Sequence, residues 1–204
     1  GAYFDAIGID IQRMSSIVPV CKKTIDAARE LGITIVFLKM TEYSQMPVEA
    51  DEMSPRLKKR AARLPLATQQ LNKNFYHKGS WGQQIIDELR PQPQDIVIEK
   101  PRHDGFIDTA LHQTLMAQNV KTLLFIGIAT NICVESTLRH AFFLDYYAII
   151  VSDAVSPMGG DMLQAATLAN VQSTFGWVVH SSELLGCFHL ATNHPNRFHH
   201  RDPH

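Results

Sequence analysis

An α/β sandwich built on a mostly parallel sheet is the fold this sequence predicts, and three observations predict it. Short apolar runs rich in β-branched residues recur along the chain. Segments of helical period separate those runs. The 204 residues suffice to bury a core on both faces of a sheet. Strands that alternate with helices become parallel neighbours through right-handed crossovers, which places helices on both sides and makes three layers.

Taken in order, residues 18–31 have helical period and end at Gly32, a C-cap candidate. Residues 33–38 (ITIVFL) form a continuous apolar run, the pattern of a strand buried on both faces. Residues 39–65 are polar, interrupted by Pro47 and Pro55, and read as a loop with a short basic helix. Residues 81–89 are helical until Pro91 and Pro93 break the chain. Residues 95–99 (DIVIE) make the next strand, and 109–118 a helix with Asp108 as its N-cap. A third strand covers 122–127 (TLLFIG), and a long helix 133–146. The remaining elements are a strand at 148–151 (AIIV), a helix at 161–174 and a strand at 176–179 (GWVV). Strands 95–99 and 122–127 are expected near the middle of the sheet. A single domain, 1–204, is expected, with a tail from about residue 190 that holds four of the histidines. Such a sheet ordinarily opens with a buried strand, whereas this chain opens on Gly1 in loop-like sequence. A first strand is therefore expected just upstream.

Composition narrows the partners. With 45% hydrophobic and 19% charged residues, the chain falls among globular proteins rather than disordered ones. A net charge of −1 leaves no basic field for nucleic acid. The basic run from Arg56 to Arg63 is explained by a solvated helix face. No apolar run approaches the ~20 residues that span a bilayer, and no signal peptide is visible. Neither nucleic acid nor membrane is an expected partner. Cys21, Cys133 and Cys187 are odd in number and far apart, which fits a reducing cytoplasm better than a disulfide framework.

In a parallel sheet, ligands bind beyond the carboxyl ends of the strands. Beyond TLLFIG lie Ile128, Ala129, Thr130, Asn131, Ile132 and then Cys133, at the start of a helical segment. Helix N–H groups and the dipole stabilise a thiolate there and can hold a developing oxyanion. A lone cysteine is also commonly a small buried hydrophobe, and position alone barely separates the two roles. Beyond DIVIE comes Lys100, followed by Pro101, Arg102, His103, Asp104, Gly105 and Phe106. A cation at that edge favours a nearby thiolate. Taken alone, Lys100 reads more readily as a solvated strand end.

Together these residues resemble the isochorismatase-like cysteine hydrolases. GIATNICVEST (Gly127 to Thr137) and EKPRHDGF (Glu99 to Phe106) match that family's cysteine and lysine motifs. The nearest likeness is to its ureidoacrylate amidohydrolases, through KGSWGQQIIDEL, PQPQDIVIEKPR and GIATNICVESTLRHAFFLDYY. The resemblance implies Cys133 as nucleophile, with Lys100 beside it. It implies an oxyanion hole of the Ala129 and Cys133 N–H groups, a cis peptide at Ile128–Ala129, and hydrolysis of a small amide or ureido (N-carbamoyl) substrate through a thioester. It further implies a catalytic Asp closing the expected upstream strand. Asp5 and Asp10 lie past that position, and Asp104 is the first alternative base. His103 and Asp104 stand where the family often has an aromatic and a small residue, and residues 41–50 match poorly, so the substrate stays open.

Arg102, His103, Phe106, Trp81 and Asn131 are the candidate substrate-binding residues. Arg102 could fork onto a carboxylate or serve in an ion pair. Trp81 and Phe106 could wall the pocket or simply pack. Glu135 and Arg139, four residues apart, suggest an ion pair rather than a site. Ahead of the expected C-terminal tail no D-x-H metal motif of the nicotinamidase kind is present, so neither metal nor other cofactor is expected. A homo-oligomer is expected. An amidase for a different small substrate and a non-catalytic member are the alternatives.

Overall fold

The computed structural model describes residues 9, 11–42, 54, 55, 58, 59, 62 and 76–193. Its helices and strands, in chain order, are α1 (Ile11–Ser15), α2 (Val18–Glu30), β1 (Val36–Met40), β2 (Ile96–Lys100), α3 (Leu111–Ala117), β3 (Thr122–Ile128), α4 (Glu135–Phe143), β4 (Tyr147–Ser156), α5 (Asp161–Asn170), β5 (Trp177–Val179) and α6 (Ser181–Asn193). Every ladder among them is parallel. β1 pairs with β2 from Val36 opposite Ile96 to Met40 opposite Lys100. β4 lies between β3 and β5.

Alternation along β4 creates the two outer layers. Ala148 and Ile150 pack with Val134, Leu138 and Val171 beneath α4 and α5. Val151 faces the other way and packs with Ala154, Ile17 and Cys21 beneath α2 and α6. A third cluster joins Ile98 of β2 to Leu111 and Leu115 of α3, and to Phe106, Ala141 and Tyr146. The result is the expected α/β/α sandwich.

Several sequence expectations shift. β4, not 95–99 or 122–127, holds the middle of the three-stranded ladder. Its Ala148, Ile150 and Val151 are fully buried, whereas Val97 and Ile128 are exposed on their strands. The helix expected at 133 starts at Glu135, after a π-helical turn at Thr130–Val134. The helix expected over 161–174 likewise gives way to a π-helical turn at Val171–Phe175. Residues 81–89 are two 3₁₀ turns, Trp81–Gln83 and Asp87–Leu89. Asp108 is not an N-cap: it has φ +57°, Ala110 takes the cap position, and the Thr109 hydroxyl accepts the Leu111 N–H at 3.2 Å. Helix α2 ends as expected, with Gly32 and Ile33 donating to the carbonyls of Arg29 and Ala28. Residues 190–193, assigned to a tail by sequence, continue α6. Residues 194–204, and most of 39–65, lie outside the described residues.

Candidate active site

The turn that carries Cys133 grows out of an irregular strand end. The β3–β4 register shifts between Phe125 and Gly127, and Gly127 adopts φ +109°, a conformation that a side chain would strain. The Ile128–Ala129 peptide that follows is cis. The Ala129 carbonyl then accepts the N–H groups of Ile132 and Val134, each at 3.1 Å. Thr130 and Val134 are buried and anchor the turn, while Cys133 between them is partly exposed. Asn131 braces the turn from the side: its side chain donates to the Met158 carbonyl at 3.1 Å and accepts the Met158 N–H at 2.9 Å.

The facing wall is the loop after β2. Lys100 ends that strand and is only 4% exposed, so it is not a solvated strand end. Its Nζ donates to the carbonyls of Arg102 at 2.9 Å and His103 at 3.0 Å, curling the loop over the ammonium. Among the described residues no carboxylate pairs with Lys100. The His103 ring reaches the thiol, with Nδ1 3.5 Å from Cys133 Sγ.

Thr137, one helical turn beyond Cys133, ties the two walls together. Its hydroxyl donates to the Cys133 carbonyl at 2.7 Å and accepts the Gly105 N–H at 2.9 Å. That approach demands glycine: a Cβ on residue 105 would lie 2.6 Å from Leu38 Cδ1 and 2.9 Å from Thr137 Cγ2. Asp104 accepts the Phe106 N–H at 2.9 Å and bonds His140 Nδ1 at 2.5 Å, so its carboxylate is committed away from Cys133.

The sequence candidates therefore separate. Cys133, His103, Lys100 and Arg102 gather at the carboxyl edge of the strands, where Arg102 is exposed and 3.5 Å from Asp108. Phe106 is buried in core, stacked on Tyr146 and tilted against His140. Trp81 stands 74% exposed on the surface. Glu135 and Arg139 form the expected ion pair. Sequence reasoning missed Thr137 and the Asp104–His140 contact. The four-residue spacing from Cys133 could have signalled Thr137; nothing linear signals a pair 36 residues apart. Among the described residues no group of three or more His, Cys, Asp or Glu side chains could hold a metal ion.

Comparison with known proteins decides the family, because the isochorismatase domain model matches residues 5–183. The chain belongs to the isochorismatase family. It is 38% identical over 189 residues to the ureidoacrylate amidohydrolase RutB of Acinetobacter baylyi, covering 92% of this chain and 77% of that relative. Its fold is similar to that of a cysteine hydrolase from Pseudomonas syringae pv. phaseolicola, with TM-score 0.74, 23% identity and coverage of 88% of this chain and 83% of that one. It is also similar to an N-carbamoylsarcosine amidase from Thermoplasma acidophilum, with TM-score 0.65, 25% identity and coverage of 83% and 85%. Within the isochorismatase family, then, this chain presents a cysteine on a π-helical turn and a buried lysine on the neighbouring loop.

Proposed function

We propose that this isochorismatase-family chain is a cysteine hydrolase that cleaves a small ureido or amide compound of the ureidoacrylate kind. The observation that carries this reading is Cys133, a partly exposed thiol on the turn beyond β3, walled by the loop from Lys100 to Phe106. The likeness to a ureidoacrylate amidohydrolase and to an N-carbamoylsarcosine amidase supports the substrate class.

In this reading Sγ attacks the substrate carbonyl and forms a C–S bond. The carbonyl electron pair moves to oxygen, which the N–H groups of Ala129 and Cys133 receive. The buried Lys100 ammonium fixes the loop through its two carbonyl contacts, and its charge favours the thiolate. Collapse breaks the C–N bond, and water then clears the thioester, so one difficult step becomes two easier ones. Arg102 stands exposed at the rim, suited to a substrate carboxylate. Ammonia release from ureidoacrylate and from N-carbamoylsarcosine tests the reading: Cys133→Ala should abolish it, and undiminished release would overturn it.

The reading extends to a homo-oligomer in the cytoplasm. Exposed Phe143, Tyr147 and Trp177 support an assembly surface, and light scattering checks it.

A further inference from the structure

We infer that Asp104 and His140 are a positioning pair, which holds the Lys100 loop in register with the turn that carries Cys133. The inference rests on the proposed role of Cys133 as nucleophile. The pair acts through the backbone of the loop, from a point about two helical turns along from the thiol.

Cys133, Thr137 and His140 are spaced i, i+4 and i+7, which is one face of a helix. The loop from Lys100 to Phe106 is fastened to that face. The Gly105 N–H donates to the Thr137 hydroxyl at 2.9 Å, and the same hydroxyl donates to the Cys133 carbonyl at 2.7 Å. Asp104, one residue earlier, reaches His140 Nδ1 at 2.5 Å. A carboxylate only accepts, so the ring carries a proton on Nδ1. The other carboxylate oxygen accepts the Phe106 N–H at 2.9 Å. One side chain thus pins the loop both to itself and to α4. Phe106 is buried and packs on the His140 ring, with centroids 5.0 Å apart. The Asp104 and His140 side chains are only 19% and 26% exposed, so solvent screens their bond less than one on the open surface.

The anchor at Gly105 alone would leave the loop free to pivot about Thr137. The second anchor, at His140, removes that freedom. A pivot would move the stretch just before Asp104, whose Arg102 and His103 carbonyls hold Lys100 Nζ at 2.9 and 3.0 Å. The ammonium follows those carbonyls. The pair therefore sets where the Lys100 charge lies relative to Cys133, and it does so without exchanging a proton with the substrate.

The test compares wild type with Asp104→Ala, His140→Leu, the double variant and His140→Asn, each checked for folding by circular dichroism. Ammonia release from ureidoacrylate gives kcat and KM. The rate of Cys133 alkylation by iodoacetamide at one pH is read by peptide mass spectrometry. Both single variants should lose kcat about 10–10²-fold, the scale of a misplacement of up to about 1 Å, with KM scarcely changed. Alkylation of Cys133 should slow in both. The double variant should lose no more than a single one, because all three break one contact. In His140→Asn the amide nitrogen stands where Nδ1 stood, and kcat and alkylation should return most of the way to wild type. If Asp104→Ala does not fold, the comparison of His140→Leu with His140→Asn carries the test alone. Alkylation that follows this pattern while no form hydrolyses the substrate, wild type included, supports the pair and overturns the substrate class. Folded single variants that alkylate and turn over like wild type overturn the pair, even where they unfold more easily. Losses that multiply in the double variant, or a His140→Asn protein as slow as His140→Leu, overturn it as well.

Discussion

The two ends of strand β2 carry opposite charges and treat them in opposite ways. Asp95 lies just before the strand, with its side chain 1% exposed. Its carboxylate is closed off by Arg29 and by the N–H of Gln92 at 2.7 Å. Lys100 ends the strand equally buried, yet among the described residues it bonds two carbonyl oxygens and no counter-charge. A buried ion satisfied by its opposite is a structural clamp. A buried ammonium held only by carbonyl dipoles keeps its charge available to what sits above it. The contrast sets an end of the strand that clamps the fold against an end that faces the proposed site.

The largest effect should come from the carboxyl end. Lys100→Met removes the charge and frees the His103 loop. Hydrolysis should fall about 10²–10³-fold, the range for one preorganised electrostatic group. A variant with more than a third of wild-type kcat/KM would show that Lys100 is only a brace.

At the amino end the readout should reverse. Asp95→Ala leaves the half-buried Arg29 with only Asp26, at 3.1 Å, as its carboxylate partner and should cost about 1–3 kcal/mol in denaturant unfolding, with kcat/KM scarcely changed. Burial pushes the Asp95 carboxyl up, but the Arg29 and Gln92 hydrogen bonds and the Arg29 charge outweigh it and hold it below its usual value. A depressed carboxyl stabilises the folded state above its unfolded pKa, about 3.9, and the contribution is lost as pH falls through the lower folded value. The wild-type stability loss below about pH 4 should therefore be shallower in Asp95→Ala. Parallel pH profiles would contradict the clamp.

Gly105→Ala probes the joint between the Lys100 loop and the Cys133 turn. The added methyl meets Leu38 and Thr137 and should cost about 1–3 kcal/mol as an overpacked site. Activity should drop further than that loss of stability explains, because the Lys100 loop moves off the turn that carries Cys133. Equal activity in the folded variant would remove the loop from the mechanism.

The smallest change distinguishes the thiols without altering the chain. Burial pushes the Cys21 thiol up to about 11, and it donates to the Ala154 carbonyl at 3.3 Å. Iodoacetamide at neutral pH should modify Cys133 first, then the exposed Cys187, and leave Cys21 intact until the protein unfolds.

Much of this was legible in sequence, for definite reasons. The strand–helix alternation repeats throughout the chain, so a few misplaced boundaries do not change the layers. Cys133 and its turn were legible because Gly127 to Thr137 is one contiguous stretch whose meaning does not depend on distant contacts. Lys100 was found but misjudged when taken alone, since linear sequence does not show that the loop folds its carbonyls back over the ammonium. Asn131 was read as substrate-facing, whereas it bonds Met158, 27 residues away. The His103–Cys133 contact spans 30 residues and depends on the close approach at Gly105, a tertiary fact. The π-helical turns stayed hidden because one extra residue per turn hardly disturbs an apolar period.

The most direct measurement is to trap the acyl intermediate. Enzyme turning over ureidoacrylate is quenched in acid, digested with trypsin and weighed. The peptide TLLFIGIATNICVESTLR, residues 122–139, should carry the acyl mass on Cys133, and the adduct should vanish in Cys133→Ala together with ammonia release. Steady turnover with no adduct on that peptide, and undiminished in Cys133→Ala, would contradict covalent catalysis by this cysteine.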